Sequence, residues 1–322
     1  MKRKNTVLPI MFLLIMATVI PVFAQPSAEE IVADAESIDY SIAPEGFRVT
    51  IVGSGSPRLD LTRAGQSIYV EYKDTKILVD CGQWSTRNIL QFGINIEKIE
   101  NMFFTHQHAD HNSDFWAFAI GAWGTPTGRQ KLYMAGPSVQ KLYDTTVNFF
   151  KEDLEYRTEI VGLHPEGLLS NVTLNDFTKD VETFQVDGVK VTAIPVPHTI
   201  TTYAFKFEAG GHSVVISGDM KYIDTFAPFS KGADLLIMDG ALTGAFSDLP
   251  PEAAASIKAG LSQSHIFNED IARIVSDAQP STTVITHILA DTDYEGSKAL
   301  YQKAGYAGKV VEAYDGIVFT LK

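Results

Sequence analysis

The stretch Thr105-His106-Gln107-His108-Ala109-Asp110-His111 constrains this chain more than any other. It sets three imidazoles and a carboxylate directly behind the apolar run Met102-Phe103-Phe104. Imidazole and carboxylate hold zinc, iron or manganese at neutral pH, and a strand ending in such a cluster delivers several donors to one point. A polar turn of individually satisfied histidines would leave that density of donors without a reason. The pattern therefore asks for a sheet whose strand ends converge on a metal.

Three later positions repeat the arrangement singly. His198 follows Ile194-Pro195-Val196-Pro197, Asp219 follows Val214-Val215-Ile216-Ser217-Gly218, and His287 follows Val284-Ile285-Thr286. In each case an apolar, mostly β-branched run ends at or near the donor, as when a sheet presents ligands along one edge.

With these four motifs in this order, the chain resembles the metallo-β-lactamase superfamily from about Phe47 to its end. Gly53-Ser54-Gly55-Ser56-Pro57-Arg58, Arg63-Ala64-Gly65-Gln66-Ser67, Leu78-Val79-Asp80-Cys81-Gly82 and Ser264-His265 are similar to its ribonuclease Z and arylsulfatase-like branch. The resemblance implies an α/β fold, a four-layer αβ/βα sandwich. It also implies two divalent cations, zinc first, with manganese or iron also accepted by such ligands. One cation would be held by His106, His108 and His198, the other by Asp110, His111 and His287, with Asp219 bridging them and a hydroxide between. Asp110 would both bind metal and orient the nucleophile. His265, placed before a helix rather than at a strand end, is expected to donate a proton or hydrogen bond to the substrate.

The N-terminus reads as a secretory signal over 1–24, with basic Met1-Lys2-Arg3-Lys4, an apolar stretch over 7–19, and small residues at Val22-Phe23-Ala24. A polar lead-in over 25–45, with a helix at 28–35, would precede a hydrolase domain over 46–322. A periplasmic or secreted location follows, without a stable membrane anchor. Cys81 is the only cysteine, so no intrachain disulfide forms, and its apolar setting makes it a small buried hydrophobe. The formal net charge is −13 and grows more negative once Lys2, Arg3 and Lys4 are removed. So acidic a surface is poorly suited to a polyanion, and the expected partner is a small anionic ester rather than nucleic acid. A homodimer is compatible with the chain.

Strands are expected over 47–52, 67–72 and 76–79, then over 181–186, 190–195, 202–208 and 213–217, with hairpin turns at Asp187-Gly188 and Gly210-Gly211. Further runs at 235–238, 284–286 and 317–321 complete the second sheet in this reading. Helices are expected over 85–92, from 115 to 122, over 139–154 and over 268–278, where Ile271, Ile274 and Val275 share a face. The stretch 121–180 reads as lid and pocket wall. His164 and His212 read as surface residues, and Trp84, Trp116 and Trp123 as candidates for the pocket wall or for packing.

The function these features support is an exported binuclear hydrolase of aryl sulfates or phosphodiesters. A tRNA-processing enzyme is disfavoured by the short interval 199–218 between His198 and Asp219. A lactonase or β-lactamase is the alternative, although typical secreted zinc β-lactamases lack the bridging aspartate. A non-catalytic metal-binding protein of the same fold has no need of all seven donors. Met220 and Asp239 depart from the residues that relatives often carry there, which weakens transfer of substrate by analogy.

Overall fold

Each apolar run that ends at a candidate donor forms a strand in the computed structural model, which describes residues 38–244, 246–247, 249–289 and 292–322. The expected leader and the helix at 28–35 lie outside the described residues. The first half supplies β1 (Phe47–Gly53), β2 (Ser67–Tyr72), β3 (Thr75–Val79), β4 (Asn101–Phe103), β5 (Leu132–Gly136) and β6 (Val172–Asp176). The second half supplies β7 (Glu182–Val186), β8 (Val189–Val196), β9 (Thr202–Ala209), β10 (His212–Ile216), β11 (Leu235–Asp239), β12 (Thr282–Thr286) and β13 (Lys309–Glu312), and the chain ends in β14 (Val318–Leu321).

Two seven-stranded sheets result, ordered β14-β1-β2-β3-β4-β5-β6 and β13-β12-β11-β10-β9-β8-β7. Each half begins with antiparallel pairs and continues with parallel ones. The hairpin turns fall where expected, because Asp187, Gly188, Gly210 and Gly211 all take positive φ, the backbone that a two-residue turn needs.

Helices cover the outer face of each sheet. On the first lie α1 (Ser85–Gln91), α2 (Ala109–Asn112), α3 (Phe115–Trp123), α4 (Val139–Phe149) and α5 (Lys151–Glu155); the second half contributes α6 (Phe226–Ser230), α7 (Pro251–Leu261), α8 (Asn268–Ala278) and α9 (Tyr294–Lys303). Three apolar layers fill the gaps. Leu78, Met102 and Phe104 meet Phe118 and Trp123 on one side. Phe103, Phe205 and Phe207 stack between the sheets. Leu236 and Ile285 meet Ile271 and Ile274 on the other side. This is the expected helix–sheet–sheet–helix sandwich.

Three expectations need correction. The terminal strand β14 pairs antiparallel with β1 in the first sheet, not with the second. The stretch 121–180 is no mere lid, because β5 and β6 extend the parallel side of the first sheet. The long helix over 139–154 is broken at Phe150, where φ −92° and ψ 13° separate α4 from α5. Among the described residues no helix is long and apolar enough to cross a membrane.

Candidate metal centre

The strand ends meet at one edge of the sandwich. His106 follows β4, His198 follows β8, Asp219 follows β10, His287 follows β12, and α2 carries Asp110 and His111. For His106, Asp219 and His287 these positions reflect the rule that parallel strands present functional groups beyond their carboxyl ends, while His198 follows β8, which is antiparallel to both neighbours. Backbone geometry is shaped to fit. His287 (φ +58°) and Asp80 (φ +59°) take the left-handed region despite their side chains, a conformation that persists only where surroundings enforce it. Gly218 (φ +60°) turns the chain toward Asp219, and a β carbon there would lie 3.0 Å from Thr105 Cβ.

Two donor sets form around Asp219. In the first, His106 Nε2 and His198 Nε2 lie 3.1 and 3.2 Å from His108 Nδ1, and both lie 3.8 Å from Asp219 Oδ2. In the second, Asp110 Oδ2 is 3.5 Å from His111 Nε2 and 3.0 Å from His287 Nε2. Asp219 reaches this set too, at 3.4 Å from His111 Nε2 and 3.3 Å from His287 Nε2. Tetrahedral ligands at about 2.0–2.1 Å from zinc stand roughly 3.3 Å apart, close to these separations.

The outer nitrogens fix which lone pairs face inward. Asp80 Oδ2 accepts from Thr105 Oγ1 and from His111 Nδ1, each at 2.8 Å. The Thr105 hydroxyl, its proton committed to Asp80, is left to accept from His106 Nδ1 at 3.0 Å. His198 Nδ1 donates to the Ser264 carbonyl at 2.7 Å. His106, His111 and His198 therefore anchor Nδ1 outward and turn Nε2 toward the centre, the usual arrangement of anchored metal ligands. His111 Nε2 is buried without a hydrogen-bond partner. An orphaned buried nitrogen and converging lone pairs fit a cation, so these residues could hold two.

Burial acts first on every titrating group here. It holds the His106 imidazole well below the usual histidine range, reinforced by charge on His111, and it lowers His108 and His198. At His111 burial also opposes protonation, but the Asp219, Asp110 and Asp80 carboxylates prevail and raise it well above that range. Asp219 is held well below the carboxylate range despite burial, by His287 and His111. Such a concentration of carboxylates demands positive charge, from protons or from metal.

His265 joins the same cluster. Its ring centroid lies 5.3 Å from those of both His198 and His287, and Nδ1 is 2.8 Å from Asp239 Oδ2. Burial would lower it, yet the Asp239 carboxylate raises it to about 9. Asp239 also stands 3.6 Å from His287 Nδ1 and accepts from the Met220 and Ala241 amides. Asp80, Thr105, the Ser264 carbonyl and Asp239 were given no role by the sequence reading. For Asp80 and Asp239 the signal was present, since each ends an apolar strand as the expected donors do. His164 and His212 lie outside the donor clusters. Trp123 and Cys81 are fully buried, while Trp116 is half exposed and stacks on Phe150.

Comparison with known proteins adds a family and relatives. Residues 47–246 match the family model described as Anti-Pycsar protein Apyc1. Ribonuclease Z of Mycobacterium bovis is 25% identical over 248 residues, covering 75% of this chain and 85% of the relative. Ribonuclease Z of Mycobacterium sp. (strain KMS) is 29% identical, covering 76% and 84%. Among solved structures, the metallo-β-lactamase fold protein YhfI from Bacillus subtilis superposes with TM-score 0.64 at 21% identity, covering 85% of this chain and 99% of that one. The short form of human tRNase Z gives 0.62 at 17% identity, with 85% and 99% covered. Zn(2+)-bound PqqB from Methylobacterium extorquens gives 0.60 at 17% identity, with 85% and 100% covered.

These relatives correct one expectation. Nucleic acid was excluded as a partner on the acidic balance, yet the ribonuclease Z relatives are named for acting on RNA. Net charge sums over the whole surface, whereas a phosphate responds to the local field, and cations in a site invert that field.

Proposed function

The chain belongs to the family described as Anti-Pycsar protein Apyc1, with the fold of the metallo-β-lactamase superfamily and relatives in its ribonuclease Z branch, and from that premise we propose that it is a binuclear metal-dependent phosphodiesterase. The observation that carries this reading is the convergence of three ring nitrogens, His106 Nε2 and His198 Nε2 lying 3.1 and 3.2 Å from His108 Nδ1, beside a second set that shares Asp219. In the proposal His106, His108 and His198 would hold one cation and Asp110, His111 and His287 the other, with Asp219 within reach of both sets. When bound, the cations supply Lewis acidity and a water acidified toward neutrality.

The protein's own groups do the rest. Thr105, Asp80 and Ser264 keep the imidazoles oriented. Asp110 has the position to orient the attacking oxygen as well as to bind. His265, protonated through Asp239, is placed to give a proton to the leaving oxygen or to hold a phosphoryl oxygen. A phosphodiester is preferred to an aryl sulfate because the ribonuclease Z relatives are named for a nuclease, and RNA is joined by phosphodiesters.

The test is metal counting on protein purified without chelators, together with parallel assays. The substrates would be bis(p-nitrophenyl) phosphate, an oligoribonucleotide, an aryl sulfate, a lactone and a cephalosporin. Two metals per chain with chelator-sensitive cleavage of a phosphodiester support the reading. Turnover confined to the lactone or cephalosporin overturns the substrate class, and failure to bind metal after reloading overturns the mechanism.

A further inference from the structure

Asp315 lies outside the donor clusters, close to the C-terminus, and its carboxylate is 7% exposed. It gathers four donors. Oδ1 accepts from Ser54 N and Ser54 Oγ, both at 2.8 Å. Oδ2 accepts from Ala64 N at 2.6 Å and from Asn88 Nδ2 at 2.9 Å. Arg63 closes over it, donating to Ser54 Oγ at 2.8 Å and to the Ala313 carbonyl at 2.6 Å. Charge-assisted bonds of this kind are about twice as strong as neutral ones, so the loop 54–66 is fastened at both ends to one carboxylate.

That loop backs the second donor set. The Ser54 carbonyl accepts from Ile288 N at 2.9 Å, the residue after His287, and Gly55 bridges to Ile288. At the other end Gly65 N donates to the Gln83 carbonyl at 2.9 Å, and Gly82 N to the Gln66 carbonyl at 3.1 Å. These segments press against α2 so closely that a β carbon on Gly82 would stand 2.0 Å from the Asp110 carbonyl oxygen. Cys81 N then donates to the His111 carbonyl at 2.7 Å. Asp110, His111 and His287 thus share one backing, while His198 is anchored on the Ser264 carbonyl and His106 on Thr105, whose hydroxyl meets that backing only through Asp80.

We propose that Asp315 is a positioning residue for the second cation alone, holding Asp110, His111 and His287 in register through the loop 54–66. This rests on the binuclear reading above. Without Asp315 the loop loses the acceptor of four donors, Ile288 loses a fixed partner, and the left-handed His287 backbone relaxes.

The experiment titrates metal-free full-length protein with cobalt(II), reading visible absorbance and metal retained after desalting. The samples are wild type, Asp315→Asn, Ser54→Ala and Tyr301→Phe. The last removes a bond to Asn268 Oδ1 of 2.6 Å on α8 and controls for lost stability. Wild type is expected to hold two cobalt ions. Asp315→Asn should keep one and bind the other about tenfold or more weakly, the usual scale for groups that support ligands. Ser54→Ala should show a smaller loss in the same direction, and Tyr301→Phe none. Equal affinity for both ions in wild type and Asp315→Asn, with only a lower melting temperature, would overturn the inference and leave the binuclear reading intact. A single ion in wild type would overturn that reading and this inference with it. Should Asp315→Asn not fold, Ser54→Ala decides alone, and two unchanged affinities there would overturn the proposal.

Discussion

Two histidines of one cluster are driven to opposite charge states by what surrounds them. Burial keeps His106 neutral, whereas at His265 the Asp239 carboxylate, 2.8 Å away, overcomes burial and lifts the midpoint to about 9. A free histidine titrates near 6.5. Protonated His265 therefore stabilises the folded chain fully below about pH 6.5, and that stabilisation fades as pH rises through about 9. In metal-free protein, imidazole NMR should find His265 still charged at pH 8, and Asp239→Asn should lower the midpoint, because the strongest carboxylate opposing burial is then gone while Asp219 and Asp110 remain. A second expectation concerns catalysis: His265→Ala should lower kcat by about 10²–10⁴-fold with metal content unchanged, and a loss of metal would refute its role as proton donor. The seven candidate donors, which the fold gathers into adjoining clusters, were legible because each sits in a short local pattern. Thr105 and Ser264 were not, and Asp80 was marked only as a strand end, because their roles depend on which strand ends become neighbours. His265 was legible only through resemblance to a family, since nothing in Ser264-His265 itself announces a partner 26 positions earlier.

Among elements, those whose ends are marked chemically were the ones sequence reading located well. The β7–β8 and β9–β10 hairpins are written into Asp187-Gly188 and Gly210-Gly211, and α8 into its apolar face. The five residues of β5 follow the turn signal Gly124-Thr125-Pro126-Thr127-Gly128 and close on a second, Gly136-Pro137, but an apolar run so short carries too little periodicity to mark a strand, so the first sheet's far side went unread. For β14 the strand itself was anticipated but not its partner, because periodicity says how a segment alternates and is silent about the edge it joins. The turn from β10 to Asp219 offers a direct test. Gly218→Ala places a methyl 3.0 Å from Thr105 Cβ on a backbone at φ +60°, which should cost about 1–3 kcal/mol. Displacing Thr105 frees the His106 ring, so weaker metal retention should accompany the lower melting temperature; normal retention would show that the turn is not what orients His106.

For the molecule as a whole, net charge proved a poor guide to partner class, because −13 is spread over the chain while recognition is local. The acidic balance still has a measurable consequence. A protein making 6–10 phosphate contacts loses about 10³–10⁵ in affinity between 50 and 200 mM salt. Here the KM for an oligoribonucleotide should change by no more than about tenfold over that range, and a steeper dependence would reveal an extended cationic track. We propose that the basic and apolar N-terminus is a cleaved leader, in which case N-terminal sequencing of the mature protein should begin at Gln25, and recovery of an intact Met1 would overturn that proposal. The pairing of β14 with β1 carries a consequence for how the molecule comes into being. β1 and β14 lie at opposite ends of the described residues, and the carboxylate of Asp315, which steadies the loop behind the donors, belongs to the same late segment as β14. Closing the edge of the first sheet therefore joins the most distant strands of the fold, a contact that loop-closure entropy makes slow to form, so the backing of the donor cluster is completed late in folding.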